Sequence, residues 1–166
     1  MIKINVFSEE RAWSQKLKNK EIFFKKICSS FPKKYKFQNK NMIIGLMLSN
    51  NKNIKKLNKN FRNKNKSTDV LSFPFDNKKK KYKGNYLGDI IISYDYMEKP
   101  KTKNSKIFKE KVTKTFIHGF LHLLGYDHIK NNDYKKMIKA EESLFRSVTS
   151  KDKLNWKKKH LLVMHS

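Results

Sequence analysis

A single cysteine, Cys28, rules out an internal disulfide framework in this chain of 166 residues and fits a reducing compartment. Arginine is almost missing too. Of 40 cationic residues 37 are lysine, and arginine stands only at Arg11, Arg62 and Arg146. Acidic residues are scarce at 14, which leaves a formal net charge of +26. The longest apolar run, Met42–Leu48, is far shorter than the ~20 residues a membrane helix requires. Residues 1–20 lack the basic, apolar, small-residue order of a secretory signal. There is no internal repeat and no second composition regime. These absences exclude a disulfide-stapled or membrane-spanning protein and predict a cytoplasmic one. What remains is 37% hydrophobic and 13% aromatic, enough for one globular domain with a real core.

A field of that sign favours polyanions, nucleic acid before anionic membrane. The 17 asparagines beside the 37 lysines, however, are both spelled by A/T-rich codons. Such a genome exchanges arginine for lysine on any solvated surface, so charge alone makes nucleic acid a candidate and no more. The lysine runs at 78–81 and 157–159 read as solvated loop and tail.

Hydrophobic spacing lays out the elements. Ile2, Ile4 and Val6 alternate with polar residues, as in a half-buried strand. Ser8 is a candidate cap for a helix over about 9–29, striped by Trp13, Leu17, Phe24 and Cys28. Met42–Leu48 reads as a strand buried on both faces. Ile54, Leu57 and Phe61 are spaced for a short amphipathic helix over 51–62. Val70, Leu71, Phe73 and Phe75 predict a third strand ended near Pro74, and Leu87 to Ile92 a fourth. Residues 76–85 form a lysine- and asparagine-rich connector. The second half is helical, first over about 105–124 and then from Asp133 or the asparagines before it. That last helix carries a stripe of Tyr134, Met137, Ile138, Leu144, Phe145 and Val148. The domain spans 1–150, and 151–166 reads as a poorly ordered basic tail holding the bystanders His160 and His165.

Three of the five histidines fall in His118-Gly119-Phe120-Leu121-His122-Leu123-Leu124-Gly125-Tyr126-Asp127-His128. His118 and His122, four apart on a helix, share one face and can grip one metal. Gly125 can end that helix in a left-handed residue and let the chain bring His128 to the same ion. Three imidazoles suit Zn²⁺, then Ni²⁺ or Fe²⁺, and three visible ligands leave a position for water, as in a catalytic site. The spacing is that of the metzincin proteases, whose second position is a glutamate acting as general base. Here that position is Gly119, which argues against a metallopeptidase.

The stretch His118–His128 resembles the H-G-x-L-H-L-x-G-Y-D-H signature of the YbeY family, bacterial endoribonucleases of ribosomal RNA maturation. Thr68-Asp69-Val70-Leu71-Ser72-Phe73-Pro74 and Leu87-Gly88-Asp89-Ile90 agree with it, as does Leu57-Asn58 followed by Arg62. The resemblance covers roughly residues 43–145. It implies a single α+β domain, a four-stranded mixed sheet packed with helices and a zincin-like metal helix. It also implies a zinc-type metal on His118, His122 and His128. The implied activity is cleavage of single-stranded ribosomal RNA, including maturation of the 3′ end of the small-subunit (16S) RNA. The implied partner is the small ribosomal subunit. A non-catalytic ribosome-assembly factor with a structural metal is the alternative.

Phosphodiester cleavage needs a cation against charge growing on the non-bridging oxygens, and Arg62 is the candidate, since a planar fork binds phosphate at two points. Asp69 and Asp89 read at least equally as turn or capping residues. Asp127 stands beside a candidate ligand and is open to three roles: orienting a histidine, carrying a proton or closing the turn. Glu141 fills the missing position on the apolar stripe of the last helix. A carboxylate there needs a partner, and metal-bound histidines offer their second ring N–H to such acceptors, so Glu141 is expected behind a ligand histidine and Glu142 in solvent. Tyr82, Tyr86, Tyr94 and Tyr96 are open to either base stacking or strand packing.

Overall fold

In the computed structural model the described residues are 1–37, 40–75, 85–101 and 104–163, the last thirteen as helical backbone only. The connector at 76–85 therefore falls almost wholly outside the described residues, with Tyr82. The lysine run at 78–81 and His165 lie outside them as well, and of the run at 157–159 and His160 only the helical backbone is described.

Four strands form one mixed sheet in the order β1-β2-β4-β3. β1 (Ile2–Ser8), β2 (Met42–Ser49) and β4 (Tyr86–Ser93) run parallel, and β3 (Val70–Pro74) lies antiparallel to β4 at the edge. The predicted alternation in β1 and the proline stop of β3 both appear. In β2 one face, Ile44, Leu46 and Leu48, is fully buried, whereas Ile43, Gly45 and Met47 are only half-buried. The difference follows from unequal layers. The main core joins α2 (Lys20–Ser30), α5 (Ser105–Leu123) and α6 (Asn131–Val163) to Ile44, Leu46, Leu48, Ile90 and Ile92. On the opposite face, among the described residues, α3 (Asn51–Arg62) alone covers the sheet, with Ile54 against Leu71 and Ile91.

The first helix departs from expectation. It is two helices, α1 (Arg11–Lys16) and α2, parted where Leu17 (φ −127°, ψ 88°) and Asn19 leave helical geometry. The seven-residue interval from Leu17 to Phe24 fits one face with or without a break, so spacing cannot register it. Ser8 is also no cap: it still belongs to β1, opposite Leu48 in the parallel ladder, and Glu10 takes the cap position. Trp13, Leu17, Phe24 and Cys28 are all buried as their spacing requires. Burial pushes the Cys28 thiol up, which leaves it an inert core group.

α3 begins and ends where the sequence places it, and both ends are built from polar side chains. Asn50 Oδ1 accepts the Asn53 N–H at 2.9 Å, and Asp95 Oδ2 accepts the Asn51 N–H at 2.7 Å. Glu9 Oε2 takes Ser49 Oγ and Asn53 Nδ2 at 2.7 and 2.8 Å. At the other end Asn63 is left-handed (φ 55°, ψ 26°), a conformation asparagine tolerates, and its N–H closes back on Asn58 and Lys59. Buried Asn58 donates to Lys66 O at 2.7 Å and holds the loop that leads to β3. α3 is thereby fixed with its last residue, Arg62, beside the sheet edge. A short α4 (Tyr94–Met97) follows β4. No helix among the described residues is long and apolar enough to cross a membrane.

Candidate metal centre

α5 is the buried helix of the domain, with Phe108, Val112, Phe116, Ile117 and Phe120 against sheet and helices. Gly119 lies where it touches the sheet. A Cβ there would stand 3.0 Å from Ile90 Cγ2 and 3.1 Å from Ser72 Oγ, so the glycine sets how closely helix and sheet approach. The position that holds a catalytic glutamate in metzincins is here a packing contact.

α5 ends as the sequence predicts. Gly125 is left-handed (φ 85°), its N–H donates to His122 O at 3.0 Å, and the Tyr126 N–H donates to Leu121 O at 3.1 Å. The turn brings His128 back beside the helix. His118 and His122 are half-buried and His128 is exposed, with one ligand atom of each lying within 4.8 Å of the others. The rings of His118 and His128 stack at 5.4 Å, and His122 meets them edge-on at 4.7 and 5.1 Å.

The hydrogen bonds of the rings decide their tautomers. His122 Nδ1 lies 2.9 Å from the Tyr126 carbonyl oxygen, which only accepts, so Nδ1 carries the proton. His118 Nδ1 lies 2.6 Å from Glu141 Oε1, again a donor to an acceptor. Both Nε2 atoms therefore present lone pairs, and these are 3.1 Å apart. Two facing lone pairs repel unless a cation lies between them. Two nitrogens on one tetrahedral zinc ion are separated by about 3.3 Å, so the donor set fits a metal of that size. Burial, followed by repulsion from His118, lowers the His122 pKa and favours the neutral, ligating form.

Glu141 thus stands against His118, on the gap in the apolar stripe, while Glu142 is exposed and pairs with Arg146 at 3.6 Å. Elsewhere the stripe needs one correction: Tyr134 is 51% exposed, because the first turn of α6 projects past the core. Asp127 closes the turn: its Oδ1 accepts the His128 backbone N–H at 2.7 Å. Asp69 likewise takes the Val70 N–H and the Thr68 hydroxyl. Asp89 accepts from the Tyr86 hydroxyl, in space left by Gly45. Tyr94 packs edge-on to Trp13, and Tyr96 donates to Ser67 O.

Arg62 reaches β3 from α3. Its Nη2 donates to Ser72 O at 3.1 Å, a carbonyl left open because β3 is an edge strand. Ser72 Oγ in turn donates to Gly119 O at 3.1 Å, next to His118. Ser72 thus links the arginine to the histidine-bearing helix through its two oxygens, a role that no side-chain spacing announces. Among the described residues no carboxylate pairs with Arg62.

Fold and site together define a class: an α+β domain with an open three-histidine centre at the end of its buried helix and an arginine held beside it. The family model described as Endoribonuclease YbeY matches residues 5–149. The Endoribonuclease YbeY of Pelagibacter ubique is 60% identical over 151 residues, covering 91% of this chain and 99% of the relative. That of Buchnera aphidicola is 39% identical and covers 86% of each. A protein of Thermotoga maritima solved in solution superposes with a TM-score of 0.55 at 26% identity over 93% of both chains. This chain belongs to the Endoribonuclease YbeY family.

Proposed function

We propose that this chain is a metal-dependent endoribonuclease that cuts single-stranded ribosomal RNA in the cytoplasm. Its work there includes 3′-end maturation of the small-subunit RNA, in association with that subunit. The observation that carries the reading is the pair of Nε2 lone pairs converging from His118 and His122 beside the exposed His128, with Arg62, which pairs with no carboxylate among the described residues, tied to the same helix through Ser72. His118, His122 and His128 would hold the ion, and Zn²⁺ is the expected one. When bound, it supplies Lewis acidity toward a phosphoryl oxygen and makes water more acidic.

The remaining work falls to the chain itself. Glu141 and the Tyr126 carbonyl keep both Nδ1 atoms protonated and the rings turned inward. Arg62 spends one N–H on Ser72 O, which fixes the plane of the guanidinium. Its other donors remain for the non-bridging oxygens of a phosphodiester, where negative charge grows during cleavage. Gly119 removes the proton-accepting side chain that a peptidase of this helix spacing uses, so the peptidase reading has no base.

The assay incubates metal-loaded protein with single-stranded ribosomal RNA fragments, with and without chelator, beside Arg62→Ala. Cleavage that needs both the metal and Arg62 is the expected result. A folded, loaded protein that shows no such cleavage would instead be the non-catalytic assembly factor with a structural metal.

A further inference from the structure

On the sheet face opposite the histidine helix stands an aromatic ring that the metal centre does not use. Phe61 was expected on the buried stripe of α3 with Ile54 and Leu57. Ile54 is fully buried, but Phe61 is 68% exposed, because the last turn of α3 extends beyond the small core it covers. The ring is nevertheless held in place. It meets Phe73 edge-on, with centroids 5.3 Å apart and planes at 65°. The Arg62 guanidinium lies 6.0 Å from the centroid of the same Phe73 ring. Arginine and exposed phenyl ring are thus two neighbours on one helix, both supported by one residue of the edge strand.

The charge around them selects an occupant. Along the chain no acidic residue occurs between Glu21 and Asp69, and Lys55, Lys56, Lys59, Lys64 and Lys66 on α3 and the loop after it are all exposed; the carboxylate opposite Phe73 in the sheet, Asp89, is engaged by the Tyr86 hydroxyl. An anion that also carries a flat apolar face satisfies both features. An unpaired nucleotide has both, a phosphate for the cations and a base for the ring. We propose that Phe61, backed by Phe73, is a stacking platform for an unpaired base of the RNA whose phosphate rests on Arg62. The inference rests on the endoribonuclease reading and deepens it by naming what selects a single strand: a base stacked and paired within a duplex has no face to offer Phe61.

The test uses the full-length, metal-loaded protein and a fluorescently labelled single-stranded RNA, with affinity read by anisotropy and cleavage on gels. Phe61→Leu is expected to weaken binding about tenfold. Its salt dependence should be unchanged, because no phosphate contact is removed. In a Trp156→Phe background Phe61→Trp retains binding, and RNA quenches its emission beyond that of the same background with Phe61, whose remaining Trp13 is fully buried. An RNA of the same length with abasic nucleotides binds wild type and Phe61→Leu equally. Unchanged affinity of Phe61→Leu for the intact RNA, with cleavage still dependent on Arg62, overturns the stacking platform and leaves the nuclease standing. A Phe61→Leu defect that persists on abasic RNA overturns it too, since the base then plays no part. A wild type that neither binds nor cuts single-stranded RNA overturns the nuclease reading and this inference together.

Discussion

Replacing Glu141 by glutamine keeps the shape of the side chain and removes its charge, which isolates what the carboxylate does for His118. The bond is short, 2.6 Å from Nδ1 to Oε1, and the two side chains are 32% and 31% exposed. A hydrogen bond to a charged group contributes about 1.5–3 kcal/mol against about 0.5–1.5 for a neutral one. The glutamine variant therefore loses on the order of 1–1.5 kcal/mol of support for the imidazole that binds metal. Partial solvent screening holds the effect near the lower end of the 10- to 100-fold usual for residues behind a metal ligand. The expected result is about tenfold weaker Zn²⁺ binding, measured by competition with a chromogenic chelator. Glu142→Gln is the control, one residue along the same helix but exposed and paired with Arg146. It should bind Zn²⁺ like the wild type. Equal affinities for the two variants would refute the argument that Glu141 acts through His118.

Arg62→Lys keeps the charge and loses the fork, so RNA cleavage at saturating metal should fall about a hundredfold or more, while the melting temperature stays near that of the wild type. Gly88→Ala should cost more than ~2 kcal/mol in urea denaturation. Gly88 has φ 136°, and an added Cβ would overlap the Phe73 carbonyl oxygen of the strand that carries Ser72. In metal-free protein the fold holds the His122 pKa below its ordinary value of 6.5. The unfolded chain therefore binds the extra proton first, and the stabilisation, full above that value, is lost as the pH falls further. The melting temperature should drop on acidification, and less steeply in His122→Asn.

Much of this site could be read before any coordinates. The i,i+4 histidines, the helix-ending Gly125 and the gap in the α6 stripe at Glu141 are all consequences of helix period, which a sequence displays directly. The bounds of α3 were legible in its apolar spacing, though not the Asn50 cap or the left-handed Asn63 that fix its ends. Contacts between elements far apart in the chain were not legible. The break after Leu17 leaves the apolar phase undisturbed. Ser72 acts through a main-chain oxygen and a hydroxyl, and Tyr126 through its carbonyl, so neither advertises itself by residue type. Glu9 and Asp95 anchor the start of α3 from other elements. Phe61 carries the spacing of a core residue, and only the limited extent of the second core shows that it faces water.

If cleavage belongs to an ion held by His118, His122 and His128, activity must follow metal occupancy in a titration. Metal-free protein is loaded stepwise while bound metal and the rate of single-stranded RNA cleavage are measured together. The rate should rise in proportion to occupancy, reach its plateau at one ion per chain, and vanish in His128→Ala. Cleavage by metal-free protein at the plateau rate, or full loading with no cleavage, would contradict the account.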